Sequence, residues 1–181
     1  MVAVGRDRRG ALKNSTEPSI RFLAARIFVE TGDVERARAI ASTFTSQPGA
    51  EHQAFGKIIE GGSALKRGDA QQAIRLLSEA NQTHDTWLAH YDLGRAFYAA
   101  SAFVQADSEF DRCIQRRGEA LALLDGNPTY GQFPIVYYYQ GRVREQLKAL
   151  NYADSYRAYL KIRGQSVEDP LVPEVRKRIG N

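Results

Sequence analysis

Apolar and polar residues alternate with a helical period along most of the chain, and the clearest stretch runs from Trp87 to Ile114. Two amphipathic segments of about three turns each stand there, separated by a short polar break near 100–103. Gly94 lies in the first segment and Ala106 in the second, where two antiparallel helices would approach each other closely. The pattern therefore predicts a pair of helices that pack through small residues and are flanked by Phe97 and Phe110.

The same two small positions, one in each helix of the pair, recur along the chain at matching distances, and we call them the first and second landmarks. Successive first landmarks are 36, 33 and 47 residues apart, and the second landmarks keep the same three distances. The first landmarks are Ala25, Gly61, Gly94 and Gly141, and the second are Ala37, Ala73, Ala106 and Ala153. Two landmarks that keep one offset indicate a repeated unit of two helices, with about 13 residues inserted before the fourth unit.

The order Leu93-Gly94-x-x-Phe97, followed by Ala106-x-x-x-Phe110, resembles the tetratricopeptide (TPR) repeat, although His90 stands where that family usually has tryptophan. The resemblance implies an all-α fold: a right-handed TPR superhelix, or α-solenoid, of about four helix pairs plus a C-terminal capping helix. It places the repeats at about 18–49, 54–86, 87–116 and 134–163, with an insertion at 117–133 and a cap at 170–179, inside one domain that spans 18–181. Residues 1–17 are predicted to form a polar, basic N-terminal arm.

The fourth unit departs from the pattern, because Arg144 and Arg157 fall on positions that are usually aromatic. Its first helix is expected to begin near Ile135, in spite of strand-like residues there. Glu119–Leu124 is expected to prolong the second helix of the third unit, and Asp125–Gly131 to form a loop.

TPR proteins commonly bind a peptide or an extended segment of a partner in the concave groove that their first helices line. Carried onto this sequence, the resemblance implies these groove residues: Phe22, Arg26, Ile58, Leu65, Tyr91, Arg95, Tyr98, Tyr138 and Arg142. The three arginines stand where chaperone-binding TPR domains keep an asparagine for a C-terminal carboxylate, so a chaperone tail is not the expected ligand. Arginine can instead grip carboxylates or phosphates with two parallel hydrogen bonds, which predicts an acidic or phosphorylated partner segment. The competing interpretation is that these arginines pair with neighbouring acids such as Glu30 and Glu145.

Composition narrows the class of protein further. The chain has 181 residues, of which 43% are hydrophobic and 25% are charged, and this balance is typical of a globular domain. No apolar run is long enough for a membrane helix, the N-terminus lacks the apolar core of a secretory signal, and there is a single cysteine, so we expect a cytoplasmic protein. The net charge of +4 is concentrated at the two ends without interleaved aromatic residues, which disfavours nucleic acid as a partner.

No motif in the sequence calls for catalysis. Gly56–Ser63 lacks the lysine of a phosphate-binding loop, the three histidines lack ligand spacing, and Cys113 is expected to be packed rather than nucleophilic. We therefore predict a protein that is not an enzyme, with no cofactor and no metal, whose function is to bind another protein. An enzyme centred on the loop Asn127–Phe133 and a homodimer formed through the tyrosine-rich fourth unit are kept as alternatives.

A narrower resemblance offers a second functional prediction. The segment Asp107–Cys113, the Asn127–Gly131 loop and the run from Tyr137 to Glu145 are similar to the C-terminal repeat regions of bacterial serine/threonine kinases and TPR-bearing regulators. The resemblance implies a regulatory or scaffold segment of a larger kinase or transcription regulator. No kinase motif lies within the chain itself.

Overall fold

The computed structural model describes residues 17–122 and 132–180, and every regular element in those ranges is a helix. This confirms the predicted all-α class. In chain order, the helices are α1 (Pro18–Thr31), α2 (Val34–Thr45), α3 (Ala50–Lys66), α4 (Ala70–Thr83), α5 (Trp87–Ala99), α6 (Phe103–Gln115), α7 (Arg117–Ala122), α8 (Phe133–Gln146), α9 (Tyr152–Arg163) and α10 (Leu171–Arg178).

The start of each helix follows from local chemistry. Helix α1 begins at Pro18, because proline suits the first turn, where its missing N–H would have no helical partner. Helices α4 and α5 begin behind side-chain caps. The Asp69 carboxylate accepts a hydrogen bond from the Gln72 amide at 3.0 Å, and Thr86 caps α5 in the same way.

The turns inside the helix pairs repeat one backbone feature. A residue with positive φ stands in each of the four turns, namely Gly32, Gly68, Ser101 and Lys148. These residues are 36, 33 and 47 positions apart, the same distances that separate the small residues of the first helices. Glycine adopts this left-handed conformation readily, whereas Ser101 and Lys148 do so at some cost and carry no sequence signal for it.

Helices pack mainly on their neighbours in the chain. Within pairs, α1 packs on α2, α3 on α4, α5 on α6 and α8 on α9. Between pairs, α2 packs on α3, α4 on α5 and α6 on α8, while the first helices α1, α3, α5 and α8 also contact one another in sequence. One apolar core extends from α1 to α8, and a second, richer in tyrosine, joins α8, α9 and α10.

Three glycines allow the two helices of a pair to approach each other, as the sequence predicts. A Cβ atom added at Gly94 would lie 2.7 Å from the ring of Phe110, and one at Gly61 would lie 2.6 Å from Leu77. In the fourth pair, a Cβ at Gly141 would lie 2.6 Å from the ring of Tyr156. The close partner is in each case a large side chain of the second helix rather than the alanine that the sequence pattern emphasises.

The fourth pair corrects one prediction by a single residue. The buried positions of α9 are Ser155, Tyr156 and Tyr159, whereas the 47-residue offset places the large residue at Arg157, which is exposed. The second helix of this pair is therefore offset by 46 residues, although its first helix and its turn keep 47. The slip restores an aromatic ring, Tyr156, to the position over Gly141.

Other expectations differ in detail. Helix α6 ends at Gln115, and Arg117–Ala122 forms a separate short helix instead of prolonging it. Helix α8 begins at Phe133, and α10 begins at Leu171. The predicted N-terminal arm up to residue 16 and the whole predicted loop Asp125–Gly131 lie outside the described residues, as do residues 123 and 124.

Within the ranges that the structure describes, no helix combines the length and the apolar character needed to cross a membrane.

Candidate functional site

The predicted groove residues lie on the first helices of the pairs, but several of them are covered. Phe22, Ile58 and Tyr91 are 1%, 0% and 4% exposed, and Tyr138 is 8% exposed. The cause is that first helices of successive pairs pack directly on one another, so positions expected to line an open groove lie in the interfaces between pairs. The assignment of Phe22 and Ile58 as groove contacts is corrected, because their side chains are part of the core.

Phe22 shows why the covered positions are apolar. Its ring lies 4.6 Å from the ring of Phe55 and 6.3 Å from that of Phe44, measured between centroids. These three aromatic rings join the first pair to the second, and edge or tilted contacts of this kind are favourable beyond their buried area.

A buried ion-pair cluster joins the first and third pairs. Asp92 of α5, whose side chain is 1% exposed, forms an ion pair with Arg26 of α1 and accepts a hydrogen bond from Arg95 at 3.1 Å. Burial alone would raise the pKa of Asp92, but the two guanidinium groups outweigh it and hold the pKa below its ordinary value. The cluster is thus charged, with two arginines shared by one carboxylate.

Arginine and tyrosine side chains continue from this cluster towards the C-terminal end. The guanidinium of Arg95 lies 5.7 Å from the ring centre of Tyr91 and 6.0 Å from that of Tyr139. That of Arg142 lies 5.8 Å from both Tyr98 and Tyr138. We call Arg95, Tyr98, Tyr139 and Arg142, which keep exposed atoms, together with Tyr91 and Tyr138, the tyrosine–arginine surface. The rings of Tyr91 and Tyr138 are buried beneath it, so their assignment as direct groove contacts is corrected as well. Its arginines are about one-quarter exposed, and contact with ring faces holds them in place.

The C-terminal helix completes this surface. Glu174 of α10 accepts a hydrogen bond from Arg142 at 3.2 Å and from the Tyr138 hydroxyl at 3.1 Å. Arg178 donates to Glu174 at 2.9 Å and to Glu145 at 2.7 Å. Burial alone would raise the pKa of Glu174, but these donors lower it below the ordinary value. The cap is therefore attached to α8 by charged hydrogen bonds.

All three arginines of the sequence prediction have carboxylate partners inside the chain, which agrees with the competing interpretation for them. Arg95 also lies 3.7 Å from Glu30, as that interpretation suggested, whereas Glu145 pairs with Arg178 rather than with Arg142. The pair between Arg95 and Glu30 is the most open of these, since the Glu30 side chain is 58% exposed. For Leu65, Tyr98 and the arginines, which keep exposed atoms, contact with a partner stays a prediction.

Sequence reasoning missed Asp92, Tyr139 and Glu174. Asp92 stands between apolar neighbours in the middle of a helix, and a charged residue on a buried face is a signal for a hidden partner. The partner itself, Arg26, is 66 residues away and is brought close only by packing of the pairs.

His90 and Cys113 occupy buried places in the third pair. The imidazole of His90 lies 2.5 Å from Glu109 and 2.8 Å from Asp85, so a hydrogen bond reaches each ring nitrogen. Cys113 exchanges hydrogen bonds with Trp87: the indole donates to its carbonyl at 2.8 Å, and its thiol donates back to the Trp87 carbonyl. Burial raises the pKa of this thiol well above its ordinary value. Among the described residues, no group of three or more histidine, cysteine or acidic side chains is arranged to hold a metal ion.

Comparison with known proteins gives one informative similarity. The chain is 24% identical over 165 residues to the transcription activator GutR of Bacillus subtilis (strain 168). The similarity covers 79% of this chain and 18% of the activator, so the chain spans less than a fifth of that protein's length. No protein-family model and no solved structure matches the chain.

Proposed function

We propose that this chain is a regulatory segment of a larger bacterial transcription regulator, in which TPR-like helix pairs bind a partner protein. The observation that carries the proposal is the similarity to a transcription activator along 79% of this chain, over only 18% of that activator. A segment that makes up so small a part of a regulator is suited to sensing or protein contact, with other functions placed elsewhere in the polypeptide.

Repeated geometry supports the TPR-like part of the proposal. Gly61, Gly94 and Gly141 each lie under a large residue of the second helix, and a residue with positive φ stands in every intra-pair turn. Each pair leaves a face that needs the next pair to cover it, which is the packing logic of helical repeats.

The tyrosine–arginine surface is the proposed place of partner contact. Tyrosine and arginine are the residue types that most often dominate binding energy. An acidic or phosphorylated segment of the partner would approach Arg95 by replacing Glu30, because that pair is exposed and 3.7 Å long and therefore contributes little. The ion pair between Arg95 and Asp92 would remain, since the Asp92 side chain is buried.

An antibody raised against this chain tests the regulator proposal directly in the cells that produce it. An immunoblot gives the mass of the native polypeptide, and chromatin immunoprecipitation with the same antibody shows which DNA it occupies. We expect a polypeptide several times heavier than the 20.2 kDa of this chain, enriched at discrete promoters. A native polypeptide of about this mass without promoter enrichment would contradict the proposal.

Partner contact is tested by removing one aromatic ring from the tyrosine–arginine surface. Tyr98→Ala removes a half-buried ring on which Arg142 stacks. Tyr152→Ala removes a half-buried ring from α9 and serves as the matched control. In an affinity pull-down, a partner retained by the parent chain and by Tyr152→Ala, but lost with Tyr98→Ala, would support partner contact at this surface. Equal retention by all three chains would exclude it.

A further inference from the structure

A cleft of about 270 Å³ opens between α2, α3 and α4 and shares no lining residue with the tyrosine–arginine surface. Each helix contributes one stripe of side chains at helical spacing. The lining residues are Val34, Arg38 and Ala41 from α2, Glu60, Ser63 and Arg67 from α3 with its C-cap, and Gln72 and Leu76 from α4. The lining thus combines aliphatic side chains with charged groups of both signs.

Glu60 is the unusual group in this cleft. It is half-buried, and in the part of the chain that the structure describes its carboxylate makes neither a hydrogen bond nor an ion pair. The nearby ammonium of Lys57 is 2.6 Å from Glu79 and therefore already engaged. Burial raises the pKa of Glu60, although Lys57 and Arg38 act in the opposite direction. A carboxylate in a cleft whose pKa is raised by burial is a candidate for contact with a ligand.

The guanidinium groups of Arg38 and Arg67 complement it. Both side chains are exposed, and neither forms a side-chain hydrogen bond or an ion pair within the described ranges. This separates them from Arg26, Arg95 and Arg142, which already hold carboxylates. These two guanidinium groups can donate charge-assisted hydrogen bonds to a carboxylate of a ligand.

We propose that this cleft binds a small zwitterionic molecule of the amino acid class, with its ammonium on Glu60 and its carboxylate on Arg38 and Arg67. The volume of about 270 Å³ suits a molecule of this size, since it is just below the range of pockets for larger ligands. Val34, Ala41 and Leu76 would cover the carbon chain between the two charged ends.

The site does not depend on the proposed partner surface. None of its lining residues belongs to the tyrosine–arginine surface or to the Asp92 cluster. Ligand binding and partner binding can therefore fail or succeed separately.

The test is titration of the whole chain with unbranched amino acids of different length, followed by nuclear magnetic resonance of backbone amides. The probes are glycine, 4-aminobutanoate and 6-aminohexanoate, and the matched single-charge compounds are butanoate and butan-1-amine. We expect saturable shifts at amides of the cleft with at least one amino acid. We also expect binding weaker by about tenfold or more for both single-charge compounds, which lack one charged contact.

Variants distinguish binding in the cleft from a general effect of surface charge. Glu60→Gln and Arg38→Gln should each weaken binding of the best amino acid by about tenfold or more. Glu51→Gln, an exposed acid in the first turn of the same helix, should leave it unchanged. Circular dichroism confirms that each variant is folded, and either cleft variant suffices for the test if the other is unfolded. The proposal would be overturned if no amino acid gave saturable shifts at about 50 mM, a concentration at which even a very weak ligand binds. It would also be overturned if butanoate bound as tightly as the best amino acid, or if a folded Glu60→Gln variant bound that amino acid as tightly as the parent chain.

Discussion

The third and fourth helix pairs each place an aromatic ring over an equivalent glycine, but they surround that ring with different chemistry. In the third pair, Phe110 lies over Gly94 within an apolar core. In the fourth pair, Tyr156 lies over Gly141, and its hydroxyl donates to Glu145 at 2.9 Å. The same backbone packing is thus stabilised by non-directional apolar contact in one pair and by directed hydrogen bonds in the other.

Arg144 shows the difference most directly. It occupies the position that Phe97 holds in the third pair, and its side chain is 17% exposed. Its guanidinium lies 2.9 Å from Asp107 and 3.0 Å from Asp111, both on α6. The contact between the third and fourth pairs therefore adds ion pairs to the apolar core that continues into α8, and such polar contacts specify one partner arrangement at the cost of desolvation.

Truncation of the ring in the apolar pair should have the largest effect. We expect Phe110→Ala to lower the free energy of unfolding by about 3–5 kcal/mol, because it leaves a void over Gly94 that the rigid helices cannot fill. Urea denaturation measures the loss. Val104→Ala on the same helix is the control, since Val104 is 69% exposed and should change stability by less than about 0.5 kcal/mol. A loss below about 1 kcal/mol for Phe110→Ala would show that this core is loosely packed.

Asp92 is the polar exception within the apolar part of the molecule. Asp92→Asn should cost about 3 kcal/mol at neutral pH, because Arg26 and Arg95 lose their shared carboxylate. The folded-state pKa of Asp92 is lowered, so the parent chain's advantage is complete above the ordinary value of 3.8 and disappears as pH falls through the lower folded value.

Urea denaturation between about pH 7 and pH 2 checks this, and the difference between parent and variant should shrink as pH falls below 3.8. Asp154→Asn is the control, because Asp154 is 70% exposed and pairs only at the surface with Arg157. A constant difference at all pH values would mean that packing, rather than charge, explains the loss.

Removal of Arg144 tests the polar contact between the pairs. Arg144→Ala should lower stability by about 2 kcal/mol, since it leaves Asp107 and Asp111 without their guanidinium partner. Arg144→Phe, which restores the residue type of the third pair, should not recover that loss. Arg157→Ala, at a side chain that is 63% exposed, is the matched control. Full recovery by phenylalanine would indicate that the two pairs differ less than their hydrogen bonds suggest.

Removal of a single hydroxyl should have the smallest effect. Tyr156→Phe should cost about 1 kcal/mol, because it deletes the hydrogen bond to Glu145 and keeps the ring over Gly141. Tyr91→Phe should cost almost nothing, since the Tyr91 hydroxyl makes no hydrogen bond to any described residue. Thermal unfolding of both variants measures the difference, and equal melting temperatures would contradict the directional role of the Tyr156 hydroxyl.

Much of the helical architecture was accessible to sequence reasoning. The period of apolar residues predicts helices close to the observed α1 to α6, and the small residues predict where helices of a pair meet. The fourth pair was misplaced by one residue, because Ala153 and Arg157 keep the 47-residue offset in the sequence while the second helix does not. The 47-residue register provides the small residue, Ala153, and the 46-residue register provides the aromatic one, Tyr156, so the sequence pattern alone does not select the register.

The candidate surface was predicted less well than the helices. The repeat pattern predicts which side of its helix a residue lies on, but it does not predict how closely the first helices of successive pairs pack. The repeat pattern places Phe22 and Ile58 in an open groove, but both are buried because that packing covers them. The partners of Arg26 and Arg142 come from helices far along the chain, so their ion pairs were not visible in local sequence. The cleft beside Glu60 was not predicted, since three separate helices form it.

The contact between Arg26 and Asp92 passes over the second pair and joins the first pair to the third. Arrays of helix pairs deform by small rotations at each successive interface, and a bond that spans two interfaces opposes rotation at both. We therefore expect the first three pairs to move as one stiff body, with elastic deformation concentrated where the fourth pair meets the third. In a longer polypeptide, force applied at either end of this segment would then change the angle at that single interface.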